Sequence, residues 1–233
     1  FLRDGQTRFN AAQISSAIDG NLERLQTDYI DIYQFHWPER QANFFSQRGY
    51  SEEMAAQSLD DLTPFLETIQ ALNDEIKKGR IRAYGLSNDT AWGLMRYLWE
   101  ADKNGLIAPI TVQNPYSLLN RLYEVGMAEI AHRENVGLLA YSPLGFGVLS
   151  GKYLDGKRPA GARLTMYDRF ARYTNDEAKA ATAQYAKIAA EAGLDMAQMA
   201  LAFVNSRSFV TSNIIGATTT EQLQSNIDSI NST

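Results

Sequence analysis

The chain has 233 residues, with 22 Lys or Arg against 27 Asp or Glu, a formal net charge of -5, and 45% apolar residues. This is an ordinary soluble composition, not that of a disordered, collagenous or membrane chain; its mild acidity argues against a general nucleic-acid binder, and no apolar run reaches the roughly 18 residues that cross a bilayer. The absence of cysteine excludes a disulfide framework, a thiol nucleophile and a cysteine metal site. With only His36 and His132 available, a metal site would rest on carboxylates, and the sequence holds no tight cluster of them.

Phe1-Leu2-Arg3-Asp4-Gly5 is no signal peptide. The last residues, Asn231-Ser232-Thr233, read as helix, so both ends suggest a fragment of a longer chain. Residues 10–26 place Ile14, Ile18, Leu22 and Leu25 at helical spacing, with Asn10 as a cap. Residues 29–35 (Tyr-Ile-Asp-Ile-Tyr-Gln-Phe) form a short β-rich run. Residues 38–61 are polar and irregular, a loop of a length that is uncommon unless functional. A helix is expected over 64–78, with Pro64 in its first turn and Gly79 as its stop. A strand follows at 80–86, then polar Ser87-Asn88-Asp89-Thr90 and a helix to about 102. Further strands are expected at 109–113, 136–141 and 212–216. Helices are expected at 121–132, 176–192, 196–206 and 219–230, and a second long loop at 142–174.

Strand and helix thus alternate five times, which implies parallel pairing through crossovers. Two architectures fit, a doubly wound sheet and a (β/α)8 barrel. Neither G-x-G-x-x-G nor G-x-x-x-x-G-K-[ST] follows a strand, and no G-x-S-x-G elbow is present. Every expected strand ends in polar residues: His36, Ser87-Asn88, Gln113-Asn114, Tyr141-Ser142 and Gly216-Ala217-Thr218. In a barrel such ends converge on the mouth that carries active sites, so the barrel is favoured.

At these strand ends the sequence resembles the aldo-keto reductase superfamily. The matching pieces are Leu25 to Pro38, ending Gln34-Phe35-His36-Trp37-Pro38; Gly79 to Asn88; Val112 to Ser117; Ala140 to Tyr153; and Ile215 to Asn226. They stand in family order along essentially the whole chain, a single domain over 1–233. The pattern is most similar to bacterial Tas-type members, with potassium-channel β subunits more distant. The resemblance implies an incomplete (β/α)8 TIM barrel, holding about the fourth to eighth strands with their helices. It also implies that His36 is the member of the Asp, Tyr, Lys and His tetrad carried here, the other three lying upstream.

The resemblance further implies a cytoplasmic NADPH-dependent enzyme that passes hydride to an aldehyde or ketone, without metal, nucleic-acid or membrane partners; this fragment is expected to be inactive alone. His36 would hydrogen-bond the carbonyl oxygen. Ser87, Asn88 and Gln113 would hold the nicotinamide carboxamide, an amide needing both a donor and an acceptor opposite it; Asn88, Asp89 and Thr90 are equally suited to capping a helix. Tyr141 would stack on the nicotinamide. Ser142, Pro143, Leu144, Gly145 and Gly147 would wrap the pyrophosphate, which Lys152 and Arg163 would neutralise. Gly216, Thr218, Gln222 and Asn226 would meet the adenosine end at a helix start, where Thr218 with Glu221, or Thr219 with Gln222, also makes a capping box. No Lys or Arg stands between 217 and 226, unlike many relatives, and Ser225 replaces a common acid. Trp37, Phe44, Phe45 and Tyr50 would line an apolar substrate pocket or pack among themselves. The alternative implied is an NADPH-binding sensor or regulatory subunit with little turnover.

Overall fold

The computed structural model describes residues 8–45, 47 and 49–232. Two compact units divide them: one runs up to Gln113 and takes in His132–Val136, and the other comprises Asn114–Ala131 and the chain from Gly137 onward.

In the first unit, α1 (Ala11–Leu25) starts where the Asn10 side chain accepts a hydrogen bond from the Gln13 amide at 3.0 Å, and it buries Ile14 and Ile18. The first half of the apolar stripe read from the sequence is the face that packs, whereas Leu25 at its end is 62% exposed. β1 (Ile30–Gln34) pairs in parallel with β2 (Ile81–Ser87), from Ile30 opposite Ile81 to Gln34 opposite Gly85. β2 in turn pairs with β3 (Thr111–Pro115), setting Gly85 opposite Thr111 and Ser87 opposite Gln113. Ile81, Tyr84 and Leu86 of β2 are fully buried, as a strand enclosed on both faces requires. Helices α3 (Phe65–Lys77) and α4 (Ala91–Lys103) bury Ile69 and Leu72, and Leu94, Tyr97 and Ala101. Asn73 ties α3 to the loop before β3: its side chain donates to the Ile107 carbonyl at 3.1 Å and accepts from the Ile107 amide at 2.8 Å.

The expected loop at 38–61 is not structureless. Ser51 caps a single turn, α2 (Glu52–Ala55), and a tighter turn follows at Leu59–Asp61. β3 sits two residues later than expected, because Pro109 has no amide to donate and the first bond to β2 is made by the Ile110 amide to the Tyr84 carbonyl, 3.0 Å.

In the second unit, β4 (Gly137–Tyr141) pairs in parallel with β5 (Val210–Asn213), with a register shift between Leu138 and Leu139. β5 starts two residues earlier than expected. Phe209 packs edge-on to Tyr116 at 5.2 Å between ring centroids and against Tyr123 at 5.4 Å, and the pairing begins beside it with the Leu138 amide bonding the Phe209 carbonyl. The expected helix at 121–132 is a short turn at Leu122–Val125 followed by α5 (Met127–Arg133). The 142–174 loop carries short turns and α6 (Arg163–Met166). Helices α7 (Asp176–Glu191) and α8 (Met196–Asn205) are capped by Asn175 and Asp195. With the turn after β4 they enclose a core of Leu149, Ala189, Met196 and Ala200. The last helix is α9 (Thr220–Asp228). No helix among the described residues is long and apolar enough to cross a membrane.

Candidate functional site

In the first unit the ends of the three paired strands carry a buried polar knot. Ser87 and Asn88 are 3% and 5% exposed. The Ser87 hydroxyl donates to the Gln113 carbonyl at 2.7 Å, and the Asn88 amide donates to the same oxygen at 3.1 Å. The Asn88 side-chain amide donates to the His36 carbonyl at 2.7 Å and to the Ser87 hydroxyl oxygen at 3.1 Å. Asn88 holds φ at 55°, left-handed backbone that Asn tolerates better than other non-glycine residues. Ser87 and Asn88 are thus joined by direct hydrogen bonds to the backbone carbonyls of His36 and Gln113.

The His36 ring lies 4.5 Å from that of Trp37 and 6.5 Å from that of Phe45. Partial burial holds its pKa below the ordinary histidine value, so near neutrality it is an uncharged imidazole. Trp37 meets Phe45 at 5.6 Å, and Phe45 meets Phe44 at 5.0 Å, so these rings pack on one another. Tyr50 is 67% exposed.

A clamp that sequence reading missed lies just behind the knot. Arg40, four residues after His36, pairs with Asp89, the residue after Asn88, and donates to the Thr90 hydroxyl at 3.0 Å. Its guanidinium lies 5.1 Å from the centre of the Trp92 ring. Thr90 caps α4 through the Gly93 amide, so the hydroxyl is used twice. Gly93 is what makes room: a Cβ there would stand 2.1 Å from both the Arg40 Nη2 and the Asp89 Oδ1. The sequence held no signal for this pair beyond two opposite charges in two loops.

In the second unit Tyr141 ends β4, and its carbonyl accepts from the Tyr116 amide at 3.2 Å. The chain then coils tightly. Ser142, Gly145, Phe146, Gly147 and Gly151 all have positive φ, and Leu144 accepts from the amides of Gly147 and Leu149. Pro143 and Gly145 are buried. Lys152 folds over Gly147, where a Cβ would stand 2.8 Å from its Cε, so both the left-handed backbone and the lysine's path require glycine there.

Around this coil stand Lys152, Arg163, Arg169 and Arg172. Arg163 lies over the rings of Phe146 (5.9 Å) and Phe170 (5.2 Å), Arg169 over Phe170 (5.0 Å), and Arg172 over Phe146 (5.6 Å). Among the described residues none of these four cations is in an ion pair; the nearby Asp168 is turned to Arg158 at 3.7 Å. Burial pushes the Tyr141 hydroxyl pKa up, and the guanidinium of Arg172 beside it opposes that shift. A coil of left-handed backbone ringed by uncompensated cations and aromatic faces is suited to an anion attached to a flat ring. Lys152 and Arg163 were legible in the sequence. Arg169 and Arg172 were not singled out, although their alternation with Tyr167, Phe170 and Tyr173 was a usable signal.

The remaining expected residues form a set of their own. Thr219 caps α9 by accepting from the Gln222 amide at 3.2 Å, and the Gln222 side-chain oxygen accepts from the Thr218 amide at 2.9 Å and hydroxyl at 3.0 Å. Asn226 donates to the Gly216 carbonyl at 3.3 Å. These bonds close the capping arrangement and hold the 216–219 loop against its helix.

The model of the family described as "Aldo/keto reductase family" matches residues 3–233. The chain is 52% identical over 217 residues to Protein tas of Escherichia coli, covering 93% of this chain and 62% of that protein. It is 36% identical over 236 residues to an aldo-keto reductase of Babesia bovis, covering 97% and 83% respectively. It is 31% identical over 214 residues to a protein of Arabidopsis thaliana named "Probable voltage-gated potassium channel subunit beta", covering 90% and 59%. The chain spans about three fifths of the length of the first and third of these relatives.

Proposed function

Since this chain belongs to the aldo/keto reductase family, we propose that it carries the cofactor-binding half of an NADPH-dependent oxidoreductase that reduces aldehydes and ketones to alcohols. The observation that supports this best is the group of four cations without carboxylate partners around the coil after β4. Lys152, Arg163 and Arg169 are exposed and Arg172 is half-buried, so the group forms an accessible positive field that draws an anion, and the phosphates of a dinucleotide fit it.

When bound, the dinucleotide supplies hydride to the carbonyl carbon. In this reading Lys152 and Arg163 neutralise the pyrophosphate, and the backbone of Ser142, Pro143, Leu144, Gly145 and Gly147 wraps it. Tyr141 offers its ring to the nicotinamide. Ser87, Asn88 and Gln113 offer the mixed donors and acceptors that a carboxamide needs. The uncharged His36 imidazole orients the substrate carbonyl and steadies charge developing on its oxygen. Thr218, Gln222 and Asn226, with Gly216, serve the adenosine end; with no Lys or Arg between 217 and 226, the preference for NADPH over NADH rests on family resemblance. The strands belong, in this reading, to one (β/α)8 barrel domain, and the family's Asp, Tyr and Lys are needed for turnover beside His36.

A second reading, a dinucleotide-binding regulatory subunit with little turnover, is favoured by the match to the relative named for a channel β subunit. One experiment separates the two: titrate the protein with NADPH by fluorescence, then follow NADPH absorbance with a panel of small aldehydes and ketones. Binding with oxidation supports the enzyme. Binding without oxidation supports the regulatory subunit. Failure to bind NADPH or NADH refutes both.

A further inference from the structure

We propose that Arg172 is a positioning residue of the cofactor site, its guanidinium taking a dinucleotide phosphate while it fixes the ring of Tyr141. This rests on the dinucleotide reading above and adds to it a residue that the family motifs did not supply.

Two observations on the second unit carry it. First, the Nε and Nη1 atoms of Arg172 are buried and have no hydrogen-bond acceptor among the described residues. Elsewhere this chain pairs its more enclosed arginines: Arg40 has Asp89, and Arg80 has Glu75 and Asp19. Arg172 lies among aromatic faces instead, 5.6 Å from the centre of the Phe146 ring and 6.0 Å from that of Tyr173. A guanidinium without an anion, removed from water on two of its nitrogens, destabilises the fold that holds it. Its retention is explained if a ligand anion completes it.

Second, the same guanidinium adjoins the hydroxyl of Tyr141. Arginine has five donors in one rigid plane, so it can hold a phenol with one edge and a phosphate with another. The plane of the Tyr141 ring is then set by the group that receives the phosphate. Filling the anion site would bring the ring to the orientation that a flat nicotinamide needs.

The test compares wild-type protein with Arg172→Met and Arg172→Lys. It measures the melting temperature without ligand, the Kd for NADPH, and the emission of bound NADPH at saturation. Arg172→Met keeps the apolar stem and removes the orphan charge, so its ligand-free melting temperature should equal or exceed that of wild type. Its Kd for NADPH should rise at least tenfold, and the bound emission should shift. Arg172→Lys restores a point charge but not the planar fork, so its Kd should lie between the other two while the emission stays shifted. These opposite signs separate the proposal from a merely structural role, which would lower stability and binding together. A rise in Kd below tenfold in Arg172→Met, a lower ligand-free melting temperature, or a variant that fails to fold overturns it. Wild-type protein that binds neither NADPH nor NADH removes the dinucleotide reading itself, whereas wild-type binding with unchanged Arg172→Met binding removes only this inference.

Discussion

Gly93→Ala sets two opposed effects against each other at a site where the structure decides the sign. In a helix such as α4, replacing Gly by Ala ordinarily stabilises by about 1 kcal/mol. Here the new methyl would stand 2.1 Å from the Arg40 Nη2, 2.1 Å from the Asp89 Oδ1 and 2.7 Å from the Arg40 Cζ. Neither side chain can swing into water cheaply, since Arg40 is 9% and Asp89 3% exposed. The methyl therefore forces the ion pair apart inside the protein, and breaking a buried pair costs about 3–5 kcal/mol. Subtracting the propensity gain leaves a net loss of about 2–4 kcal/mol. Urea denaturation monitored by circular dichroism should show a lower midpoint at unchanged slope. In an Arg40→Ala, Asp89→Ala background the space is open, and Gly93→Ala should then stabilise by about 0.5–1 kcal/mol. A single Gly93→Ala variant as stable as its parent would refute the reasoning.

Asn88→Ala should cost more than Asn88→Gly: both lose the bond to the His36 carbonyl, but only alanine meets the left-handed backbone penalty of about 1–2 kcal/mol, a gap that denaturation midpoints will show. Tyr123 is 3% exposed, and its hydroxyl has no partner among the described residues, so Tyr123→Phe should raise stability by about 1 kcal/mol; a loss would mean that the hydroxyl is satisfied. His36 should titrate by NMR below its ordinary pKa of 6.5. The unfolded chain then takes up the proton first as pH falls. The contribution of His36 to stability is thus complete above about 6.5 and declines as pH drops from there through the folded value, and a midpoint at or above 6.5 would contradict this.

Periodicity located elements well where one face is apolar and the caps are local. Asn10, Thr90, Asn175 and Thr219 each cap within three residues of themselves, so their helices could be read from the chain. It misplaced β3 and β5 because those boundaries depend on distant partners. Pro109 withholds a donor from β2, and Phe209 is drawn to Tyr116 and Tyr123 while Ile214, within the expected strand 212–216, is 38% exposed. The candidate site divides in the same way. His36, Ser87, Asn88 and Gln113 stand at strand ends and could be named from alternation and motif. Arg40 with Asp89 owes its place to two loops meeting across 49 positions, which no local spacing encodes, whereas Arg169 and Arg172 carried a local signal in their alternation with aromatic residues.

Phe146 deserves a last consequence. It is a bulky residue at φ 60° between two glycines, a conformation that costs about 1–2 kcal/mol, and the rings of Phe170 and Tyr173 lie 5.2 and 5.3 Å from it. The coil after β4 is thus cast against a mould supplied by residues 168–173. A graft that transplants 142–151 into another scaffold without that second stretch should let Phe146 relax and scatter the glycine amides, so the two stretches are one unit of inheritance and of design.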